Sequence, residues 1–183
     1  MLSSCNWPKF MIFLYSQAKQ DILKSVAVRL LNLTVTKHEF SRILVAVDGS
    51  ETSMDAADHA IDMARMYNAQ LTALTVSHIS LSSYGLAAPP DAIKQRKEKH
   101  QLESKRWFDE LNQSARRNNI QFRTELIDSQ MSVEGAIVEY AENNGIDLII
   151  LGTKGRSGIK KLLLGSVASG VISYATCPVI VVK

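Results

Sequence analysis

Residues 147–167, "DLIILGTKGRSGIKKLLLGSV", begin as a nearly continuous apolar run, cross a loop rich in glycine and basic residues, and end in a helical pattern. Connections in α/β units ordinarily take about 2–6 residues. A longer crossing with little side-chain bulk and much positive charge is therefore a candidate site. The apolar run before it suits a strand buried on both faces of a parallel sheet, and the fold follows from finding similar runs elsewhere.

Four others are present: "RILVAVD" (42–48), "LTALTVS" (71–77), "QFRTELID" (121–128) and "PVIVVK" (178–183), the first and last nearly continuous. Helical patterns lie between the runs, over 53–67, roughly 92–118, 133–143 and 166–175. Thr52 with Asp55 can cap the first helix and Ser132 the third, while Gly145 is placed to end the third. In the second, Trp107, Phe108, Leu111 and Ala115 mark a buried stripe and "KQRKEKH" (94–100) a solvated face. Strand alternating with helix predicts an α/β fold, a five-stranded parallel sheet with helices on both faces; the order expected is 3-2-1-4-5, Rossmann-like, and another order would break the placement of the site that follows. In that order the strand sequence reverses between the first and fourth strands, where such sheets bind ligands outside their carboxyl ends. The turn "VDGSETS" after the first strand and the glycine loop after the fourth then meet at one crevice.

The chain has 183 residues, of which 46% are hydrophobic, enough for one filled core. Its net charge of +3 resides wholly in residues 1–39, and the neutral remainder argues against a nucleic-acid surface. Cys5 and Cys177 stand at opposite ends and make no disulfide framework, and His38, His59, His78 and His100 form no set at metal-ligand spacing. The expectation is a reduced, soluble, cytoplasmic protein without a metal site. In residues 1–39, "FMIFLY" (10–15) is too short for a membrane span, while Ile22, Val26, Leu30 and Leu33 recur at helical spacing with Lys19, Lys24 and Arg29 between them. Residues 1–39 read as an extension, disordered or an amphipathic helix, before a domain spanning 40–183. Contact of that segment with a membrane surface is the alternative to a plain appendage.

Within the loop, Gly152, Gly155 and Gly165 let backbone N–H groups approach an anion, and Gly165-Ser166 opens a helix whose N-terminus is partially positive. Ser166 can cap that helix or donate to a phosphate oxygen. Lys154, Arg156, Lys160 and Lys161 add charge. Turn glycines and solvated cations would give the same spacing, and location at the switch point favours a site.

Gly152-x2-Gly155-x9-Gly165-Ser166 resembles the G-x2-G-x9-G-[ST] pattern of the nucleotide-binding universal stress proteins. "ILVAVDGSETS", "DLIILGTKGRSG" and "CPVIVVK" are similar to that family's first strand and turn, fourth strand and last strand, over about residues 40 to 183. The resemblance implies an adenine nucleotide alpha hydrolase-like fold that binds ATP or AMP, with Mg through the phosphates, in a homodimer. It implies that Asp48 reaches the adenosine part with Ala46 and Val47 beside it, that Val76 packs on adenine, and that Leu151 walls the pocket. Gly152 and Gly155 would approach ribose and phosphate, and Gly165, Ser166 and Val167 would hold the phosphates. Some members carry a hydroxyl residue where this chain has Ala168, although Ser169 follows.

By residue type alone, Asp48 equally suits a turn cap before Gly49, and Val76 and Leu151 suit plain core positions. The loop is not a Walker A motif, no nucleophile is paired with a base, and "DGSETS" lacks the Ser-Gly-Gly start of the related pyrophosphate-releasing enzymes. A nucleotide-binding regulatory module without catalytic residues therefore leads. A slow ATP hydrolase and a nucleotide-independent, chaperone-like interaction protein follow. "HISLSSYGLAAPPD" (78–91) reads as a solvated loop or a mobile cover over the nucleotide. "PVIVVK" falls at a sheet edge, where an apolar strand is usually paired, so a homodimer through it is expected.

Overall fold

The computed structural model describes residues 40–78, 90–156 and 164–183, all within the unit Phe40–Lys183. The expectations for residues 1–39, for Lys160 and Lys161, and for 79–89 of the 78–91 connection lie outside the described residues. Strands and helices alternate as β1 (Arg42–Ala46), α1 (Glu51–Tyr67), β2 (Gln70–His78), α2 (Pro90–Arg117), β3 (Phe122–Ser129), α3 (Val133–Asn143), β4 (Leu148–Gly152), α4 (Ser166–Tyr174) and β5 (Val179–Val182). All pairings are parallel and the sheet order is β3-β2-β1-β4-β5, the order read from the sequence.

The apolar runs of β1 and β4 divide by the period of two that a strand imposes. Ile43, Val45, Leu148 and Ile150 enter one core with Ala56, Ala60 and Ala64 of α1 and Leu111 of α2. Leu44, Ile149 and Leu151 enter the other with Ile137 and Ala141 of α3 and Ala168 and Val171 of α4. Both faces of the sheet are thus covered, which is why these central strands have no polar alternation. The last run differs, because all four β5 residues are only half-buried. β5 pairs with β4 on one side, and among the described residues no strand pairs its other side.

Local signals fix the helix ends. Ser132 caps α3, its hydroxyl accepting from the N–H of Gly135 at 3.3 Å, and Gly145 follows the helix with φ +59. Only glycine adopts that left-handed backbone at little cost. The cap of α1 is Ser50 rather than Thr52 with Asp55, its side chain accepting from the N–H of Ser53. Thr52 lies in the first turn, and its hydroxyl donates to the carbonyl of Lys154 in the glycine loop. The stripe on α2 is present, with Leu111 and Ala115 buried and Trp107 and Phe108 half-buried.

Replacing Ile150, fully buried at the sheet centre, by Ala is expected to cost about 2–5 kcal/mol. Replacing Ile172, 48% exposed on α4, is expected to stay within about 0.5 kcal/mol. Urea unfolding with a common m-value reads both.

Candidate functional site

Parallel pairing of β1 with β4 sets Ala46 opposite Leu151, so the chain leaves both strands on the same side and opens a crevice there. A cavity of about 450 Å³ fills it. Ala46, Val47 and Asp48 line it from the end of β1, Val76 from β2, and Leu151, Gly152 and Gly155 from β4 and its loop. Gly165, Ser166 and Val167 line it from the start of α4. The ten residues to which the resemblance gave a nucleotide-binding role therefore line one cavity. Sequence reasoning missed the apolar floor, Leu74, Val133 and Ile137. Leu74 was findable, since it lies two residues before Val76 and points to the same face of β2.

Asp48 organises the polar wall. Its Oδ1 accepts from the Ser50 hydroxyl at 2.6 Å and the Ser50 N–H at 3.0 Å, and its Oδ2 accepts from the N–H of Arg156 at 2.9 Å. The Ser50 hydroxyl also lies 3.2 Å from the Lys154 carbonyl. It has one proton, so the shorter contact to the carboxylate takes it, and Thr52 serves the carbonyl. Burial works to raise the Asp48 pKa, but the bonds from Ser50, Arg156 and Ser53 outweigh it and hold the carboxyl below its ordinary value.

These contacts explain two of the three motif glycines by internal packing. A Cβ on Gly152 would lie 2.7 Å from the Thr52 backbone, and one on Gly155 would lie 2.6 Å from Asp48 Oδ2. The loop needs both positions bare merely to lie against α1 and Asp48. Gly165 acts differently. It is the N-cap of α4 and supplies no side-chain cap. Its own N–H donates to the Thr153 carbonyl at 2.7 Å, and its carbonyl accepts from Ser169 at 2.9 Å. Among the described residues nothing accepts from the N–H groups of Ser166, Val167 and Ala168, the first turn of α4. Unpaired N–H groups together with the helix dipole make this terminus a receiver for negative charge.

Helix α2 reaches the same loop, which the sequence did not reveal. The Arg156 guanidinium donates to Glu103 at 2.8 Å and lies 5.7 Å over the Trp107 ring. Trp107 in turn packs on Gly49, whose φ of +77 and bare Cα leave room for the indole. The hydrogen bond from Arg156 holds the Glu103 carboxyl below its ordinary value. Among the described residues no His, Cys, Asp or Glu cluster is arranged to hold a metal ion, and no helix is long and apolar enough to cross a membrane.

A doubly wound parallel sheet whose switch point carries a glycine-lined crevice and an open helix N-terminus defines a class of ligand-receiving α/β domain. Within it the chain belongs to the universal stress protein family, whose model matches residues 39–183. It is 34% identical to a universal stress protein of Methanocaldococcus jannaschii over 167 residues, covering 90% of this chain and 96% of that one. That match therefore extends into residues 1–39. Among solved structures, the universal stress protein UspA from Lactobacillus plantarum is similar at 28% identity with a TM-score of 0.64, covering 79% of this chain and 98% of its own. A universal stress protein in complex with cAMP is similar at 25% identity with a TM-score of 0.61, covering 79% and 98%.

Asp48→Asn is expected to destabilise the domain at neutral pH by about 1–3 kcal/mol, since bonds to a charged acceptor are lost. The folded pKa of Asp48 is depressed, so its contribution is present above the ordinary carboxylate value and lost as pH falls through the folded value. The gap between wild type and variant in urea unfolding should therefore close in acid. A gap that persists unchanged into strong acid contradicts the assignment.

Proposed function

We propose that this chain is an adenine-nucleotide-binding regulatory protein that holds ATP or AMP in the crevice between β1 and β4. The observation that carries the reading is the open first turn of α4, facing a cavity of about 450 Å³. Cavities of roughly 300–1,000 Å³ with an apolar lining and a few convergent polar groups suit ligands of this size. The apolar part, Leu74, Val76, Val133 and Ile137, suits a base, and the N–H groups of Ser166, Val167 and Ala168 suit a phosphate. Asp48 remains able to contact ribose, because Oδ2 has one bond and keeps a lone pair. The captured cAMP in a solved relative supports the same ligand class.

Binding rather than turnover is the favoured activity. Among the described residues lining the cavity, Asp48 is the sole carboxylic acid and there is no histidine. A carboxylate held ionised by three hydrogen bonds is a weak general base near neutral pH. Mg would enter with the phosphates, and residence in the cytoplasm fits a nucleotide ligand.

Ser166→Pro tests the reading with little cost to the fold. Ser166 is the first helical residue, where proline is favoured, and Gly165 before it has the extended backbone a following proline requires (φ −75, ψ 162). The substitution removes one cradle N–H and the hydroxyl. Calorimetric titration with AMP is expected to show wild-type binding and at least a tenfold loss in the variant, at about 1.4 kcal/mol per decade. Equal binding by both would contradict the cradle.

The same proposal includes a homodimer through β5, whose outer side is unpaired among the described residues and whose residues are half-buried. Ile180→Lys is expected to shift the species seen by light scattering from dimer to monomer. A dimer that survives the substitution places the interface elsewhere.

A further inference from the structure

Thr153 follows β4 and is 8% exposed, and its Oγ1 is buried with no hydrogen-bond partner. Both backbone groups of the residue are used: its N–H donates to the Val182 carbonyl at 2.7 Å, and its carbonyl accepts from Gly165 at 2.7 Å. The residue is thereby fixed between β5 and the N-cap of α4, and it lines the cavity. A buried hydroxyl without a partner is costly and uncommon, and one on a residue that lines a cavity calls for an acceptor or donor from outside. The other such atom among the described residues, Nδ1 of His100, is on α2 and does not line the cavity.

We infer that the Thr153 hydroxyl is a ligand-contacting group that donates to the phosphate of a nucleotide seated on the α4 N-terminus. The inference rests on the nucleotide reading and adds to it a residue that selects for the phosphorylated ligand. Its place follows from the Thr153–Gly165 bond, which holds the residue against the helix terminus. The Oγ1 is closed to solvent in the ligand-free protein, so meeting the ligand takes a local shift at the loop, and the free protein bears the cost of leaving the group unpaired.

This arrangement has a signature that a structural hydroxyl would not give. In Thr153→Val, nearly the same in shape, the ligand-free domain loses an unpaired buried group, so its melting temperature should be unchanged or higher. AMP affinity should fall about tenfold, the loss of one bond to a charged acceptor. Adenosine, without the phosphate, should bind variant and wild type alike. Thr153→Ser, which keeps the hydroxyl, should retain most of the AMP affinity. Calorimetry with AMP and with adenosine, alongside thermal unfolding of each ligand-free protein, reads all four.

Wild-type protein that binds neither AMP nor adenosine overturns the nucleotide reading itself. If the wild type binds AMP and Thr153→Val binds it equally well, the reading stands and the inference about Thr153 fails. A fall in melting temperature or a failure to fold in Thr153→Val makes the hydroxyl structural and also overturns it. Equal losses for adenosine and AMP move the contact off the phosphate and overturn the assignment.

Discussion

The parallel pairing of β1 with β4 is the constraint on which the site depends, and a carboxylate locks it at each end. Before β4, Asp147 accepts from the Ser41 N–H and hydroxyl at 2.8 and 2.7 Å and from the Arg42 N–H at 3.1 Å, fixing where β1 begins. After β1, Asp48 accepts from the Arg156 N–H beyond β4. Each acid, set just outside its own strand, thus accepts backbone N–H donation from the chain at or beyond the end of the other strand. A slip of one residue would exchange the two cores and break both locks. With the register held, both strands end together and the crevice follows.

The glycine loop is shaped by the protein before any ligand arrives. Thr52 binds the Lys154 carbonyl, Asp48 binds the Arg156 N–H, and Glu103 with Trp107 of α2 engages the Arg156 side chain. The exposed Arg156–Glu103 pair contributes little energy by itself, and its role is directional. Two glycines let the loop lie flat against these partners, and the third leaves the α4 terminus open. Pre-ordering of this kind reduces the ordering cost that binding would otherwise incur.

Much of this was legible in the sequence, for identifiable reasons. β1 and β4 are buried on both faces and so read as unbroken apolar runs, and strand alternating with helix gave the topology. Ten cavity residues were placed by the resemblance to the universal stress proteins, at a crevice that the strand order indicated independently. The N-cap of α1 was misplaced by two residues, since Ser50, Thr52 and Ser53 all suit a cap. Only the distant Lys154 carbonyl determines what Thr52 does. Long-range pairs such as Arg156 with Glu103 leave no periodic trace, and the buried state of the Thr153 hydroxyl depends on β5 and α4 folding around it. The run "PVIVVK" has the continuous apolar pattern of a strand buried on both faces, and it was the strand order, not the pattern, that put it at the edge.

The central claim is that the first turn of α4 receives the charged end of an adenine nucleotide. Amide chemical shifts of the ¹⁵N-labelled protein during titration with AMP test it most directly. The account predicts that the largest changes fall on Ser166, Val167 and Ala168, with smaller ones on Val76 and Leu74 at the apolar floor. Saturation with no change at these α4 amides, or changes confined to β3 and β5 at the sheet edges, would contradict it.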